Sequence, residues 1–274
     1  MAGILYLVAT PIGNLDDITL RAIKTLKEVD FIAAEDTRHS LKLLNHLEIS
    51  KPLISYHRHN EDIKSELLIE KLKDNKNIAL ITDAGTPGIS DPGEEIVKQC
   101  IENNIKIIPI PGACAFVNAL IVSGLDTTEF TFLGFLPLNK KNRKDQLEKI
   151  KNCTSTSILY EAPHKLLSTL KDLSTILEDR KITLARELTK IHEEFIYGTA
   201  NELLEKLENP KGEFVILIEK STNIQTTNID LLNTLSLEEH FNFYKEQGLS
   251  KNEIIKKIAK DRKVNKNEIY KNFI

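Results

Sequence analysis

Short apolar runs alternate with segments of helical periodicity along the first half of the chain. The apolar runs cover residues 5–10, 31–35, 53–56, 78–82 and 105–110. Each is long enough for one buried strand, and the intervening segments are long enough for one helix. Because strands and helices alternate, the pattern predicts a mainly parallel sheet with helices packed on it.

The helix predicted after residues 53–56 illustrates how polar positions mark these elements. Asn60 is a suitable N-cap, and Glu61 and Asp62 favour the positive end of a helix dipole. Apolar residues at helical spacing then supply a buried stripe. These residues are Leu67, Leu68 and Leu72.

A second set of alternating elements follows in the other half of the chain. Strands are predicted at 130–136, 157–160, 182–187, 194–197 and 214–219, and helices at 140–151, 164–177 and 201–208. The pattern therefore predicts an N-terminal α/β domain at 1–125 and a C-terminal α/β domain at 126–222.

The last fifty residues differ in composition from both domains. Residues 221–230 are polar and are predicted to form a linker. Ser236, Ser250 and Asn265 each stand three residues before a Glu, which predicts three short capped helices. Gly248 occupies the position expected just after a helix. Residues 223–274 are thus predicted to be a linker and a small helical tail.

Composition narrows the class of protein. A chain of 274 residues with 41% hydrophobic content can bury the cores of two domains. No apolar stretch reaches the roughly 18 residues that span a bilayer, and the first residues lack the basic region of a secretory signal. We therefore expect a cytoplasmic protein without membrane contact. Three widely spaced cysteines predict neither disulfides nor a CxxC metal site.

Loops rich in Gly and Pro follow three of the predicted strands of the first domain, at residues 9–19, 83–93 and 109–115. Ligands of open parallel sheets bind at the carboxyl ends of the strands, so these loops are candidates for a binding site. They contain no GxxxxGK[ST] or GxGxxG motif and no Lys or Arg. They therefore favour a small ligand without phosphates.

Several segments together resemble one known family. They read LYLVATPIGNLDDIT at 5–19, AEDTR at 34–38, GFLP at 134–137, YEAPH at 160–164 and ARELTK at 185–190, with further matches at 83–93, 110–112 and 212–214. This ordered set resembles the ribosomal RNA small-subunit methyltransferase I family, within the tetrapyrrole methylase superfamily. The resemblance covers roughly residues 3 to 220.

The resemblance implies a dimeric enzyme that methylates the ribose 2′-hydroxyl of a cytidine in the decoding region of 16S ribosomal RNA. It implies S-adenosylmethionine as cofactor, held between the two α/β domains. Thr86 replaces the acid of the corresponding superfamily segment, and Cys114 stands where Ser or Thr is common. The implied cofactor-binding residues are Pro11, Gly13, Asp83, Gly85, Thr86, Pro87, Ile89, Ser90, Asp91, Pro111, Gly112, Cys114 and Ala115.

Transfer of a methyl group to a ribose hydroxyl benefits from a group that removes the hydroxyl proton. Within the family segments, Glu187 is the first candidate for this base, followed by Glu161 and Lys190. Each also has a structural interpretation. Glu187 can pair with Arg186, and the neighbouring candidate His164 can simply begin a helix.

Basic residues provide candidates for RNA contact even though the net charge of the chain is −3. Arg38 lies in a family segment, and a basic run begins just after residue 139. A solvated helix face is the alternative for this run. Its candidate RNA-binding residues are Lys140, Lys141, Arg143 and Lys144.

His57 and His59 are expected to share one face of a strand, an arrangement that suggests a metal site. No third His or Cys lies nearby at ligand spacing, so we predict no metal.

Three functions remain open from the sequence. An RNA ribose methyltransferase is favoured by the family segments and the basic run. A methylase of tetrapyrroles shares the same loops but is disfavoured by an aromatic content of 6%. A ribosome-assembly protein without catalysis is disfavoured by the intact loops.

Overall fold

The computed structural model describes residues 2–222, 232, 235–262 and 264–273. The chain forms two compact units, Met1–Lys220 and Ser221–Ile274. The predicted linker at 221–230 lies almost wholly outside the described residues. The division predicted at residue 125 falls inside the first unit, between its two sheets, and stays a prediction.

The first unit contains ten strands. They are β1 (Ile4–Val8), β2 (Phe31–Ala34), β3 (Leu53–Ser55), β4 (Ile78–Ile81), β5 (Lys106–Ile110), β6 (Phe130–Phe135), β7 (Thr156–Glu161), β8 (Ile182–Arg186), β9 (Glu194–Gly198) and β10 (Phe214–Ile218). Its helices are α1 (Leu20–Glu28), α2 (Thr37–His46), α3 (Glu61–Lys73), α4 (Glu94–Glu102), α5 (Ala115–Ile121), α6 (Lys140–Lys151), α7 (Pro163–Ser174) and α8 (Ala200–Lys206).

The first sheet is entirely parallel, with strand order β3-β2-β4-β1-β5. All four residues of β4 are buried, because helices cover both faces of the sheet. Ile78 and Leu80 face one hydrophobic cluster together with residues of α3 and α4, whereas Ala79 and Ile81 face another with residues of α1 and α2. The predicted parallel sheet is confirmed, and its loops at residues 9–19, 83–93 and 111–114 emerge at one edge.

The second sheet has strand order β6-β7-β10-β8-β9, and only β6 and β7 run parallel. Helices α6, α7 and α8 cover one of its faces. Ala119 and Leu120 of α5 pack on its other face against Ile158, Ala185 and Leu217. The helix that ends the predicted first domain therefore packs on the second sheet and joins the two halves.

Among its described residues, the tail unit forms short helices at the three predicted places, α9 (Leu237–Glu246), α10 (Lys251–Asp261) and α11 (Lys266–Tyr270). Ser236 and Ser250 form the predicted capping boxes with Glu239 and Glu253. Asn265 instead accepts a hydrogen bond from the Asn267 amide. The apolar faces of the helices form one small core, of Tyr244, Ile254, Ile255, Ile258 and Ile269.

Two predictions near residue 60 are wrong. Asn60 precedes α3, but its side chain does not cap the helix, because its Oδ1 accepts a hydrogen bond from the His57 amide (2.8 Å). This bond turns the chain back after β3 ends at Ser55, so His57 and His59 lie in a turn and not on one face of a strand. The predicted class of fold is confirmed: it is α/β, with two sheets that are each covered by helices, and it has a helical tail.

Within the described ranges, the structure contains no helix that is both long and apolar enough to cross a lipid bilayer.

Candidate active site

A cavity of about 590 Å³ lies between the two sheets of the first unit. Its volume is typical of sites for small organic ligands and cofactors. The loops at the carboxyl ends of the first sheet form one wall, and residues of β7, β8 and β10 form the other. Eight of the thirteen predicted cofactor-binding residues line this cavity: Asp83, Gly85, Thr86, Ile89, Ser90, Asp91, Cys114 and Ala115.

Short hydrogen bonds hold the loop at residues 83–93 in place. Gly85 exchanges two backbone hydrogen bonds with Thr10, of 2.9 and 3.1 Å. Its φ of +85° is a conformation that glycine adopts without strain. The Thr86 hydroxyl donates to the Ala113 carbonyl (3.0 Å), and the Arg58 guanidinium donates to the Ser90 carbonyl. The three loops are thus tied into one surface.

Five predicted cofactor-binding residues do not line the cavity: Pro11, Gly13, Pro87, Pro111 and Gly112. Pro11 lines a separate cavity of about 160 Å³ beside α2. A β-carbon at Gly112 would lie 2.9 Å from the Ala9 side chain, so this glycine allows close packing of two loops. The structure therefore gives Gly112 a packing role and places Pro11 in a second cavity.

The cavity wall is acidic. Among the described residues, no Lys or Arg side chain lines it, whereas Asp and Glu side chains line both of its sides. They are Glu35, Asp83, Asp91, Glu161 and Glu213. Such a wall repels phosphates and attracts a cation. S-adenosylmethionine, the cofactor implied by the resemblance, carries a sulfonium, an ammonium and no phosphate, so the wall fits it.

Burial changes the proton affinity of two of these acids. Burial, with the nearby charges of Glu35 and Asp83, raises the pKa of Asp91 to about 6, although the positive charge of Arg58 opposes this shift. Burial and the charge of Asp83 likewise raise the pKa of Glu35. Near neutral pH, Asp91 is therefore a carboxylate of unusually high basicity for an aspartate.

Aromatic side chains form part of the opposite wall. The Tyr160 hydroxyl accepts a hydrogen bond from the Phe116 amide (3.3 Å), and its ring contacts Phe132 and Phe135 edge to face. Burial raises the pKa of Tyr160, so its hydroxyl stays protonated at neutral pH. This wall offers an apolar, aromatic surface on which the base of a nucleoside can pack.

Two of the predicted catalytic residues form an ion pair outside the cavity lining. Lys190 Nζ lies 2.9 Å from Glu187 Oε1 and 2.9 Å from Glu213 Oε2. Hydrogen bonds from Lys190 and from the Glu213 amide lower the pKa of Glu187. Burial alone would lower the pKa of Lys190, but its bonds to Glu213 and Glu187 raise it. Both shifts favour the charged forms and make these groups poorer proton acceptors.

The expected alternative role of Glu187, an ion pair with Arg186, is wrong. Arg186 pairs instead with Glu194 (3.1 Å).

Glu161, the remaining predicted catalytic residue, lines the cavity and is buried. One of its carboxylate oxygens accepts a hydrogen bond from the Ala162 amide (2.9 Å), and the other accepts one from the Thr169 hydroxyl (2.6 Å). Both oxygens are therefore engaged at the start of α7. The neighbouring His164 is exposed in the first turn of that helix and lines the cavity.

The predicted RNA-binding residues divide into two groups. Lys140, Lys141 and Lys144 are exposed at the beginning of α6. Arg143 is half-buried and donates to Asp172 (2.7 Å) and to the Thr169 hydroxyl (2.9 Å), so it joins α6 to α7. Arg38 is exposed but lies 2.8 Å from the Asp36 carboxylate, whose pKa this contact lowers.

No group of three or more His, Cys, Asp or Glu side chains is placed to hold a metal ion anywhere in the described part of the chain.

Several residues of the cavity were not predicted as site residues. Four of them lie in the family segments, so the resemblance could have identified them: Glu35, Phe135, Tyr160 and Glu213. Ala185 and Leu188 also line the cavity and lie in the family segment at 185–190, whereas Val215 lies outside these segments and in the sequence is indistinguishable from an ordinary core residue of a strand.

Comparisons with known proteins agree with this geometry. The family described as Tetrapyrrole (Corrin/Porphyrin) Methylases matches residues 4–204. Two solved structures share the fold, at low sequence identity. A diphthine synthase, 14% identical, has a TM-score of 0.64 over 80% of this chain and 91% of its own. A uroporphyrin-III-C-methyltransferase from Thermus thermophilus, 19% identical, has a TM-score of 0.56 over 80% and 94%.

Curated relatives are much more similar. The ribosomal RNA small subunit methyltransferase I of Halalkalibacterium halodurans is 48% identical over 98% of this chain and 93% of its own length. The protein of the same name from Bacillus subtilis is 49% identical over 98% and 93%. The chain therefore belongs to the tetrapyrrole methylase family, in the branch of the ribosomal RNA small subunit methyltransferases I, and its cofactor is S-adenosylmethionine.

Proposed function

We propose that this protein methylates the ribose 2′-hydroxyl of a cytidine in the decoding region of 16S ribosomal RNA. One observation carries the proposal, namely the acidic cavity that the family segments build, in which no described Lys or Arg lines the wall. The names of the relatives support small-subunit ribosomal RNA as substrate. The choice of cytidine and of its 2′-hydroxyl rests on the resemblance of those segments.

The residues of this chain contribute mainly binding and alignment. S-adenosylmethionine, when bound, supplies a methyl group activated by a sulfonium. Thr86, Ile89 and Ala115 would hold it from the loops of the first sheet, and Tyr160 from the second. The acidic wall stabilises positive charge, and the apolar residues exclude water. Alignment of two reactants in such a site supplies a large part of a rate enhancement.

The start of α6 supports contact with RNA phosphates. Its first turn contains Lys140 and Lys141 and no acidic residue, and Lys144 follows one turn later. Cations are unfavourable at the positive end of a helix dipole, so helix stability does not explain them. The Asn139 side chain caps the amides of Lys141 and Asn142, so the exposed lysine side chains are the groups that would bind RNA phosphates. Phe135, five residues before this helix, lines the cavity, so a short segment of chain connects the lysines to the cavity wall.

We also propose that the active form is a homodimer in the cytoplasm, acting on 16S ribosomal RNA or on the small ribosomal subunit. The resemblance supports both statements. Sedimentation of the full-length protein tests the first, with a mass of twice 31.1 kDa as the expected result.

Methyl transfer to small subunits from a strain lacking this protein tests the proposal. The subunits are incubated with the protein and radiolabelled S-adenosylmethionine, and the labelled nucleoside is identified after digestion. The expected product is 2′-O-methylcytidine. Label on a base, or on a ribose of another nucleoside, would contradict the proposed chemistry. Binding of S-adenosylmethionine without any label on RNA would contradict the RNA substrate.

A further inference from the structure

Removal of the hydroxyl proton requires a basic group that faces the cavity and is not already occupied. Most of the acidic side chains that line the cavity already accept hydrogen bonds or form ion pairs. Glu161 uses both oxygens at the start of α7, and Glu213 is paired with Lys190. Asp83 Oδ1 accepts a hydrogen bond from the Asp36 amide (3.1 Å).

Asp91 differs from these acids. Its side chain lines the cavity and is half-buried, and its carboxylate forms no hydrogen bond or ion pair with any residue that the structure describes. It follows Ser90, whose φ of +64° is a left-handed conformation that L residues rarely adopt. Strained backbone of this kind persists where surrounding contacts hold it, here the Arg58 bond to the Ser90 carbonyl.

We propose that Asp91 is the catalytic base, accepting the proton of the ribose hydroxyl during methyl transfer. This inference rests on the proposed function. As the hydroxyl oxygen forms its bond to the methyl carbon, the carbon–sulfur bond breaks and its electron pair stays on sulfur. The hydroxyl proton passes to the Asp91 carboxylate and then to solvent. No further reactant is needed.

The charged and titratable groups around Asp91 are consistent with this role. Glu35 and Asp83 lie on the same side of the cavity and disfavour the charged carboxylate, which increases its affinity for a proton. The positive charge of Arg58 opposes them and lowers the pKa of Asp91. Tyr160 across the cavity stays protonated, so it does not compete as a base.

The variant Asp91→Asn tests the proposal, because it removes basicity and keeps the shape of the side chain. Asp74→Asn, on the exposed end of α3, is the matched control. Affinity for S-adenosylmethionine is measured by calorimetry, and single-turnover methyl transfer to small subunits is measured at saturating cofactor from about pH 5 to about pH 9. We expect cofactor affinity within about threefold of the wild type and a rate at least about 100-fold lower.

The wild-type rate is expected to rise with pH as Asp91 loses its proton, and the variant is expected to lack this rise. Asp91→Glu should recover part of the rate. A rate in Asp91→Asn within about threefold of the wild type overturns the assignment. So does a rate that returns when more S-adenosylmethionine is added, because Asp91 would then bind cofactor. A wild-type protein that leaves RNA unlabelled overturns the proposed function itself, and the two failures are therefore distinguishable.

Discussion

Gly13 and Lys190 lie so close that a β-carbon on residue 13 would come within 2.4 Å of the lysine Cγ. The same β-carbon would lie 2.8 Å from the Thr189 hydroxyl. The loop after β1 therefore packs directly on the loop after β8. In the latter loop Glu187 and Thr189 have φ of +49° and +65°, and Lys190 joins Glu187 to Glu213. The two sides of the cavity are held together at this point.

Substitution Gly13→Ala is expected to separate these loops. Because the Thr189 hydroxyl and the Leu188 carbonyl would also lie 2.8 and 3.0 Å from the new β-carbon, rotation of the lysine side chain alone does not relieve the contact. We expect a loss of about 1–2 kcal/mol in the free energy of unfolding and a several-fold weaker affinity for S-adenosylmethionine. Denaturant unfolding and calorimetry measure the two effects. The control Asp17→Ala, exposed in the same loop, should change neither. A Gly13→Ala protein with normal affinity would contradict the role of this contact.

Substitution Arg58→Ala is expected to act through the loop at residues 83–93. It removes the hydrogen bond to the Ser90 carbonyl and the positive charge that lowers the pKa of Asp91. The pKa of Asp91 should therefore rise, and the pH at which methyl transfer reaches half its maximum should rise with it. A pH–rate profile at saturating cofactor measures the shift. Arg21→Ala, another exposed arginine, is the control, and an unchanged profile in Arg58→Ala would argue against the coupling.

Asp91 should also influence stability in a defined direction. Its pKa is raised to about 6 in the folded protein, so the folded state binds the proton more tightly than the unfolded state does. Stability from this group is therefore lost as pH rises from about 4 to about 6. Asp91→Asn should be more stable than the wild type at pH 7.5, by on the order of 1 kcal/mol because solvent screens a partly exposed group.

That difference should disappear at about pH 4, where Asp91 is protonated in the folded wild type. Urea unfolding at both pH values measures it. A variant that is less stable than the wild type at pH 7.5 would show that the carboxylate has stabilising contacts after all. Greater stability together with lower activity is the expected signature of a group placed for catalysis.

The basic residues at the start of α6 should divide into binding and structural groups. Replacing Lys140, Lys141 and Lys144 with Ala should weaken RNA affinity and decrease the slope of log affinity against log salt by about two to three. Replacing Lys149 and Lys151, in the last turn of the same helix, is the control. Filter binding across a salt series measures the slope. Equal slopes for the triple variant and the double variant would contradict a role of Lys140, Lys141 and Lys144 in binding RNA phosphates.

Arg143→Ala should behave differently from its lysine neighbours. It removes the ion pair with Asp172 and the hydrogen bond to Thr169, and it leaves a half-buried carboxylate without its partner. We expect a loss of about 1–2 kcal/mol in the free energy of unfolding with little change in the salt dependence of RNA binding. Thermal unfolding of the variant, compared with Lys144→Ala, separates the two effects.

Sequence reasoning predicted the elements of the fold well because local signals determine them. Residues 78–81 are apolar throughout, and a strand buried on both faces forms there. The mixed direction of the second sheet was not predicted, since β8, β9 and β10 have no sequence feature that fixes which neighbour each one pairs with. The packing of α5 on that sheet likewise depends on tertiary contacts.

The candidate site was predicted in part. The turn-rich loop at 83–93 signalled a ligand, and most of its residues line the cavity. Roles of individual acids were not accessible, because the sequence does not show that Lys190 neutralises Glu187 or that Thr169 occupies Glu161. The pKa of Asp91 is raised by burial and by the charge of Glu35, which lies more than fifty residues away along the chain. The partners and the proton affinity of these acids are thus set by which residues lie close in space, and the sequence does not show this directly.

A side chain that fills the cavity shows whether this cavity binds S-adenosylmethionine. Ala162→Trp places an indole at the cavity wall, and Lys171→Trp places the same side chain on the exposed end of the same helix. Affinity for S-adenosylmethionine and label transfer to small subunits are measured for both proteins, with thermal unfolding as a check of folding. We expect that folded Ala162→Trp loses cofactor binding and methyl transfer and that Lys171→Trp keeps both. Methyl transfer at a normal rate by folded Ala162→Trp would show that this cavity is not the cofactor site.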